Sequence, residues 1–135
     1  MKQLIIMRGL PGSGKTTYLN TLEVEDGKYV ICSADHFFLV TGEYHFDPRL
    51  LGKAHEACKT DAEIAMQAGI ELVIIDNTNT QKWEYEDYLK MATKYNYNVT
   101  IQVIGNTTDL ELYATRNTHG VPLAGLQRMA ARWEP

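Results

Sequence analysis

The chain has 135 residues, 44% of them apolar and 22% charged, the make-up of one globular domain with room for a real core. No apolar run reaches the length of a membrane span and the first residues lack a basic-then-apolar leader, so a cytoplasmic protein is expected. A formal net charge of −4 argues against a grip on long stretches of nucleic-acid backbone, and leaves a nucleic-acid end or a small molecule as the partners to consider.

The chain opens on Leu4-Ile5-Ile6-Met7, which reads as a buried strand over about 3–8. It runs straight into Gly9-x-x-x-x-Gly14-Lys15-Thr16, the pattern of a phosphate-binding loop. Such a loop turns sharply while aiming successive backbone N–H groups at phosphate oxygens, and Gly9, Gly12 and Gly14 are expected to supply the dihedrals. A helix over about 15–23 follows, its partly positive end facing the same phosphates. Gly12, Ser13, Gly14, Lys15, Thr16 and Thr17 are therefore the expected ATP contacts, with Lys15 bridging the β- and γ-phosphates and the Thr16 hydroxyl on Mg²⁺.

Tyr29-Val30-Ile31-Cys32 reads as the second strand, ending in Ser33-Ala34-Asp35-His36-Phe37-Phe38, and residues 41–47 read as a loop. Asp47 and Pro48 form a helix start, cap and first helical position. The helix they open carries Leu51, Ala54, Cys58, Ala62 and Ala65 on one side and stops at Gly69. Glu71-Leu-Val-Ile-Ile75 reads as a strand, its apolar run Leu72–Ile75 ending in Asp76-Asn77-Thr78-Asn79, as a central parallel strand would. A helix over about 81–95 and a strand over 99–104 come next. Thr108-x-x-Glu111 reads as a capping box opening a fourth helix, and Pro122 starts a fifth. This alternation predicts an α/β fold: a parallel sheet of four or five strands with helices on both faces, the P-loop NTPase arrangement. Cys32 and Cys58 make no paired motif and read as buried thiols in a reducing compartment.

Ligands of such sheets bind at the carboxyl ends of the strands, which singles out three positions. Besides the loop there is Asp76, read either as a Mg²⁺-holding carboxylate or as a turn-organising acid. Asp35 reads either as a general base accepting the proton of a phosphoryl-accepting hydroxyl or as a turn-forming residue. Arg116, before a Gly-Val-Pro turn, is placed to close over a transferring phosphoryl group. Arg128 and Arg132 read equally as a solvated face, and His119 as a turn residue or a substrate contact. Phe37, Phe38, Tyr44, His45, Phe46 and Trp83 form an aromatic collection, core packing or base-stacking, with Tyr44 and His45 the most exposed.

GLPGSGKTT, SADHFF, G-x-Y-x-FDP, AH-x-x-C, IIDNTN, WE-x-x-x-Y and RN-x-HGVP occur in that order through nearly the whole chain. Together they resemble the polynucleotide-kinase-type P-loop kinases: most closely the kinase-like domain of animal ubiquitin-ligase-binding proteins, more distantly the phage end-healing kinases. The resemblance implies transfer of an ATP γ-phosphate to the 5′-hydroxyl of DNA or RNA, with Lys15 and Thr16 on ATP and Mg²⁺, Asp35 as base and Arg116 in a lid. Two departures stand out. Phe38 occupies the position where the phage kinases place an arginine that helps hold the acceptor's phosphate, and the Arg116–Pro122 segment is shorter and less basic than theirs. A kinase of a nucleoside, modified base or small metabolite, or a non-kinase NTPase, is the alternative.

Overall fold

Four parallel strands carry the architecture: β1 (Gln3–Arg8), β2 (Tyr29–Cys32), β3 (Leu72–Asp76) and β4 (Asn98–Val103), in the order β2-β3-β1-β4. The computed structural model describes residues 1–39 and 46–135. β1 pairs with both β3 and β4, Ile6 lying beside Ile75 on one side and Ile101 on the other. Flanked on both sides and covered on both faces, its apolar run buries completely through Leu4, Ile6 and Met7. The expected sheet is thus present, with four strands among the described residues.

Helices α2 (Leu51–Gln67) and α3 (Glu86–Tyr95) close one face over Leu4, Ile6, Val73 and Ile75 through Cys58, Ala62, Met66 and Tyr88. On the other, α1 (Lys15–Thr21) brings Tyr18 and Leu19 onto Ile5, Met7 and Ile74. α4 (Leu110–Arg116) and α5 (Leu123–Ala131) pack together around Leu10, Tyr113 and Leu126 in a small core of their own. No described helix is long and apolar enough to cross a membrane.

The local signals were mostly sound, with four corrections. Asp47 does cap, accepting from Arg49 N, but Pro48–Leu50 is a 3₁₀ turn and the α-helix begins at Leu51. α1 stops two residues short of the expected end, its cap residue Leu22 being extended. Thr108 does not cap α4. Asp109 occupies the cap position with no side-chain cap bond, and Asn106 Oδ1 shapes the turn ahead of the helix, accepting from Thr108 N (3.0 Å) and Asp109 N (2.9 Å). Gly9 is not in the left-handed region, unlike Gly12 (φ +82) and Gly14 (φ +109). It is small for another reason: a Cβ there would lie 2.7 Å from Ser13 Oγ and 3.0 Å from Ile104 O. Most of the expected 41–47 loop, with Tyr44 and His45, lies outside the described residues.

Both cysteines are buried thiols, as expected. Burial, with Cys58 nearby as the lesser cause, pushes the Cys32 thiol up from 9.0 to about 12. Two outcomes follow. Alkylating reagents at pH 8 should label neither cysteine until denaturant is added, as read by mass spectrometry. A thiol whose folded pKa is raised supports the fold fully below pH 9.0 and loses that support as pH climbs toward about 12, so thermal stability should fall across that window.

Candidate functional site

The carboxyl ends of β1, β2 and β3 open into a cleft of about 1010 Å³, within the range of ordinary ligand sites. Its floor is the turn from Pro11 to Gly14 leading into Lys15, Thr16 and Thr17. Gly14 occupies the helix cap with no side chain bonded there, and the first turn holds no acidic residue. The leading N–H groups of α1 have no partners inside the helix, so they are donors for an anion. Ser13 Oγ is buried with no hydrogen-bond partner among the described residues, a further polar atom suited to a ligand oxygen. These features fit a polyphosphate.

Lys15 is half-buried, and its ammonium donates to Gly9 O at 2.9 Å. Burial pulls its pKa down, opposed by the charges of Asp76 and Asp35. The Asp76 carboxyl, at the tip of β3, is pushed up by burial and held down by Lys15. One cation and two carboxylates therefore sense each other across the strand ends. Among the described residues no group of three or more His, Cys, Asp or Glu could hold a metal. Magnesium beside phosphates uses one or two protein donors, and the Thr16 hydroxyl with the Asp76 carboxylate is a set of that kind.

Asp35 sits in the 3₁₀ turn Ala34–Phe38 that follows β2, with Ser33 Oγ capping its N–H. Its carboxylate faces the cleft and lies 3.5 Å from His119 Nε2, which arrives from the segment after α4. Arg116 reaches over the loop and donates through Nε to Gly12 O at 3.0 Å, its Nη2 sharing that carbonyl. The close approach explains Gly12, where a Cβ would meet Tyr113 O at 2.5 Å. The structure thus gathers Lys15, Thr16, Asp35, Asp76, Arg116 and His119 around one cavity.

Other expected contacts fall elsewhere. Phe38 is only 4% exposed and packs with Ala34 and Ala54, its ring edge-on to Phe37 and Phe46. It does not line the cleft, so a direct substrate contact is corrected to a core role that supports Phe46. Phe46, half exposed, does line it. Trp83 is exposed outside the cleft and donates to Gln81 Oε1 at 2.9 Å. The Tyr44 expectation lies outside the described residues.

Several cleft residues were not singled out beforehand. His55 of α2, pulled down by burial against the opposing charge of Glu84, and Glu84 itself both line the far wall. Arg132, read from the sequence as part of a solvated face, lines the same wall, its Nε donating to Thr80 Oγ1 at 3.2 Å, and Thr80 in turn donates to Glu84 Oε2 at 2.6 Å. Arg128 does not reach the cavity. Leu51 and His55 are four apart in α2 and so share the side that lines the cleft, a spacing that would have marked His55; the place of Arg132 depends on the fold of α5.

A cradle of left-handed glycines, a desolvated lysine and carboxylates at neighbouring strand tips defines a P-loop protein of the kinase-like class. The chain belongs to the AAA domain family, whose model matches residues 4–135. It is 37% identical over 133 residues to human NEDD4-binding protein 2, covering 97% of this chain and 8% of that protein's length. Among solved structures it is similar to a chain of the Pnkp1/Rnl/Hen1 RNA repair complex, at TM-score 0.73 and 22% identity over 97% of this chain and 43% of that one. Kti12 of Chaetomium thermophilum, solved with ADP-AlF3, is similar at TM-score 0.64 and 19% identity, over 98% of this chain and 80% of its own.

Proposed function

We propose that the chain is an ATP-dependent phosphotransferase whose acceptor is the 5′-hydroxyl of a polynucleotide. The observation that carries the reading is the shared cleft: the Asp35 carboxylate and the Lys15 loop open onto the same cavity from neighbouring strand ends. Lys15 would move from Gly9 O onto the β- and γ-phosphates, which the leading amides of α1 also receive. The acceptor hydroxyl gives its proton to Asp35 as its oxygen bonds to the γ-phosphorus, and the bond from phosphorus to the departing ADP oxygen breaks. Arg116, already anchored on Gly12 O, stabilises the charge spreading over the phosphoryl oxygens. Thr16 and Asp76 would hold Mg²⁺, whose charge neutralises the phosphates.

On the acceptor side, the half-exposed ring of Phe46 in the cleft lining offers a surface on which a terminal base can stack. The fold-level likeness to an RNA repair complex supports a nucleic-acid end. A second reading, a small hydroxyl-bearing metabolite, is favoured by Phe38: the wall beside Asp35 carries a buried ring where a phosphate-gripping cation would otherwise stand. Transfer of labelled phosphate from ATP to a panel of 5′-hydroxyl oligonucleotides, nucleosides and modified-base DNA separates them. Label on oligonucleotides is the expected result. Label confined to a small molecule overturns the polynucleotide acceptor, and hydrolysis indifferent to every acceptor overturns the kinase reading. Lys15→Ala should weaken ATP binding and transfer together, by about tenfold or more in each, because the same ammonium serves ground and transition states; titration with a fluorescent ATP analogue alongside the transfer assay reads both.

A further inference from the structure

We propose that Asn77 is a positioning residue for phosphoryl transfer, holding the turn that carries Asp35 through a side-chain relay reaching back to Cys58 and Tyr88. The proposal rests on the kinase reading above and deepens it. β2 and β3 run side by side only as far as Cys32 and Ile75, then part to open the cleft. Beyond that point the backbone ladder no longer links them. Ala34 N–H, two residues past the last pair, donates instead to Asn77 Oδ1 at 2.9 Å.

Ala34 is followed directly by Asp35, so this bond fixes where the carboxylate starts out. The amide itself is held from behind. Because Ala34 N–H can only donate, the Asn77 oxygen must face it, and Nδ2 points to Cys58 Sγ at 3.6 Å. Tyr88 OH donates to the same sulfur at 3.2 Å. Cys58 and Tyr88 are each 1% exposed, so the relay joins α2 and α3 to the active turn inside the core. Ser33 Oγ caps Asp35 N–H but belongs to the same turn and cannot tie it to the sheet. Asn77 supplies the tie to the end of β3, beside the packing of Ala34 and Phe38 on Ala54.

Misplacing a reacting group by about 1 Å can cost on the order of 10²-fold in rate, whereas the phosphate loop lies on a different strand end and keeps its own contacts. Asn77→Ala should therefore lower kcat for transfer by about 100-fold with KM and Kd for ATP within about twofold of wild type. Cys58→Ala, which leaves the amide unmoored, should lose about tenfold in kcat; Cys58→Ser, whose hydroxyl accepts both donors, should stay within about threefold. Melting curves accompany each variant, and if Asn77→Ala does not fold, the Cys58 pair carries the test alone. Asn77→Ala with kcat within about threefold of wild type overturns the proposal. So does a loss of ATP affinity that parallels the loss of kcat, which would assign the residue to the nucleotide pocket beside Asp76, and so do equally active Cys58→Ala and Cys58→Ser proteins. Wild-type protein that transfers phosphate to no acceptor in the panel brings down the kinase reading and this inference with it, an outcome distinct from an active wild type with unimpaired variants.

Discussion

Asp35→Ala is expected to lower phosphoryl transfer by about 10²–10⁴-fold while ATP affinity stays within a few-fold. The asymmetry follows from where the carboxylate sits. It comes from the end of β2, while the nucleotide cradle comes from the end of β1, with β3 between them in the sheet. No phosphate donor is lost with it, and removing one negative charge near Lys15 slightly favours an incoming polyphosphate. Lost with it are the proposed proton acceptor for the hydroxyl and the contact to His119, 3.5 Å away, from the segment after α4. His119→Ala leaves the carboxylate in place and should cost far less, mainly in acceptor KM. Steady-state transfer at saturating ATP, with Kd measured by titration calorimetry, reads both quantities. Should Asp35→Ala lose ATP affinity in proportion to its activity, the residue belongs to the nucleotide site, and the Asp35→Asn protein should then be equally impaired in binding.

The parts of this site that could be read in the sequence are those whose chemistry is local. A glycine-lysine turn after an apolar strand has one economical use, and the loop with Lys15 and Thr16 lies where that use requires. Asp35 and Asp76 were marked by the rule that strand ends face the ligand, which needs only element order. Phe38 misled because an aromatic beside a candidate base can point either way, and a 3₁₀ turn rather than an extended loop sends it into the core against Ala54. The segment after β3 looked like one carboxylate in a polar turn. In the fold nearly every residue there ties two strand ends: Asn77 to Ala34, Thr78 O to Gly9 N, Asn79 Nδ2 to Met7 O. Those partners lie 43 to 72 residues away for the two asparagines, and no spacing rule reaches that far.

Arg8→Ala should produce the largest loss of stability of any single change considered, about 3–5 kcal/mol, lowering Tm by roughly 10–20 °C for a domain of this size. A charged residue at the end of β1 gives no hint of this, yet Arg8 is 3% exposed. Its guanidinium lies between the Tyr85 and Trp133 rings, 5.1 and 4.6 Å from their centroids. It donates to Asn79 O at 2.8 Å, Thr80 O at 3.1 Å and Glu134 O, so one cation joins β1, the turn after β3 and the end of the chain. Neither contact type explains the expected size alone. Each charge-assisted bond contributes about 1.5–3 kcal/mol, but the bonds share one anchor and do not add, and truncation takes the Arg8 donor from the carbonyl of the buried Asn79. Lysine cannot replace the fork: a single ammonium can serve at most part of the set, and Arg8→Lys should recover less than half of the loss. Chemical denaturation of the three proteins measures the difference. Because Arg132 hangs from Thr80 and the chain end pairs with Thr80 O through Glu134 N, the lesion should reach the far wall of the cleft before the phosphate loop. Acceptor KM is then expected to rise in Arg8→Lys at temperatures where ATP binding is still intact, and an ATP affinity that fails first would place the damage in the loop instead.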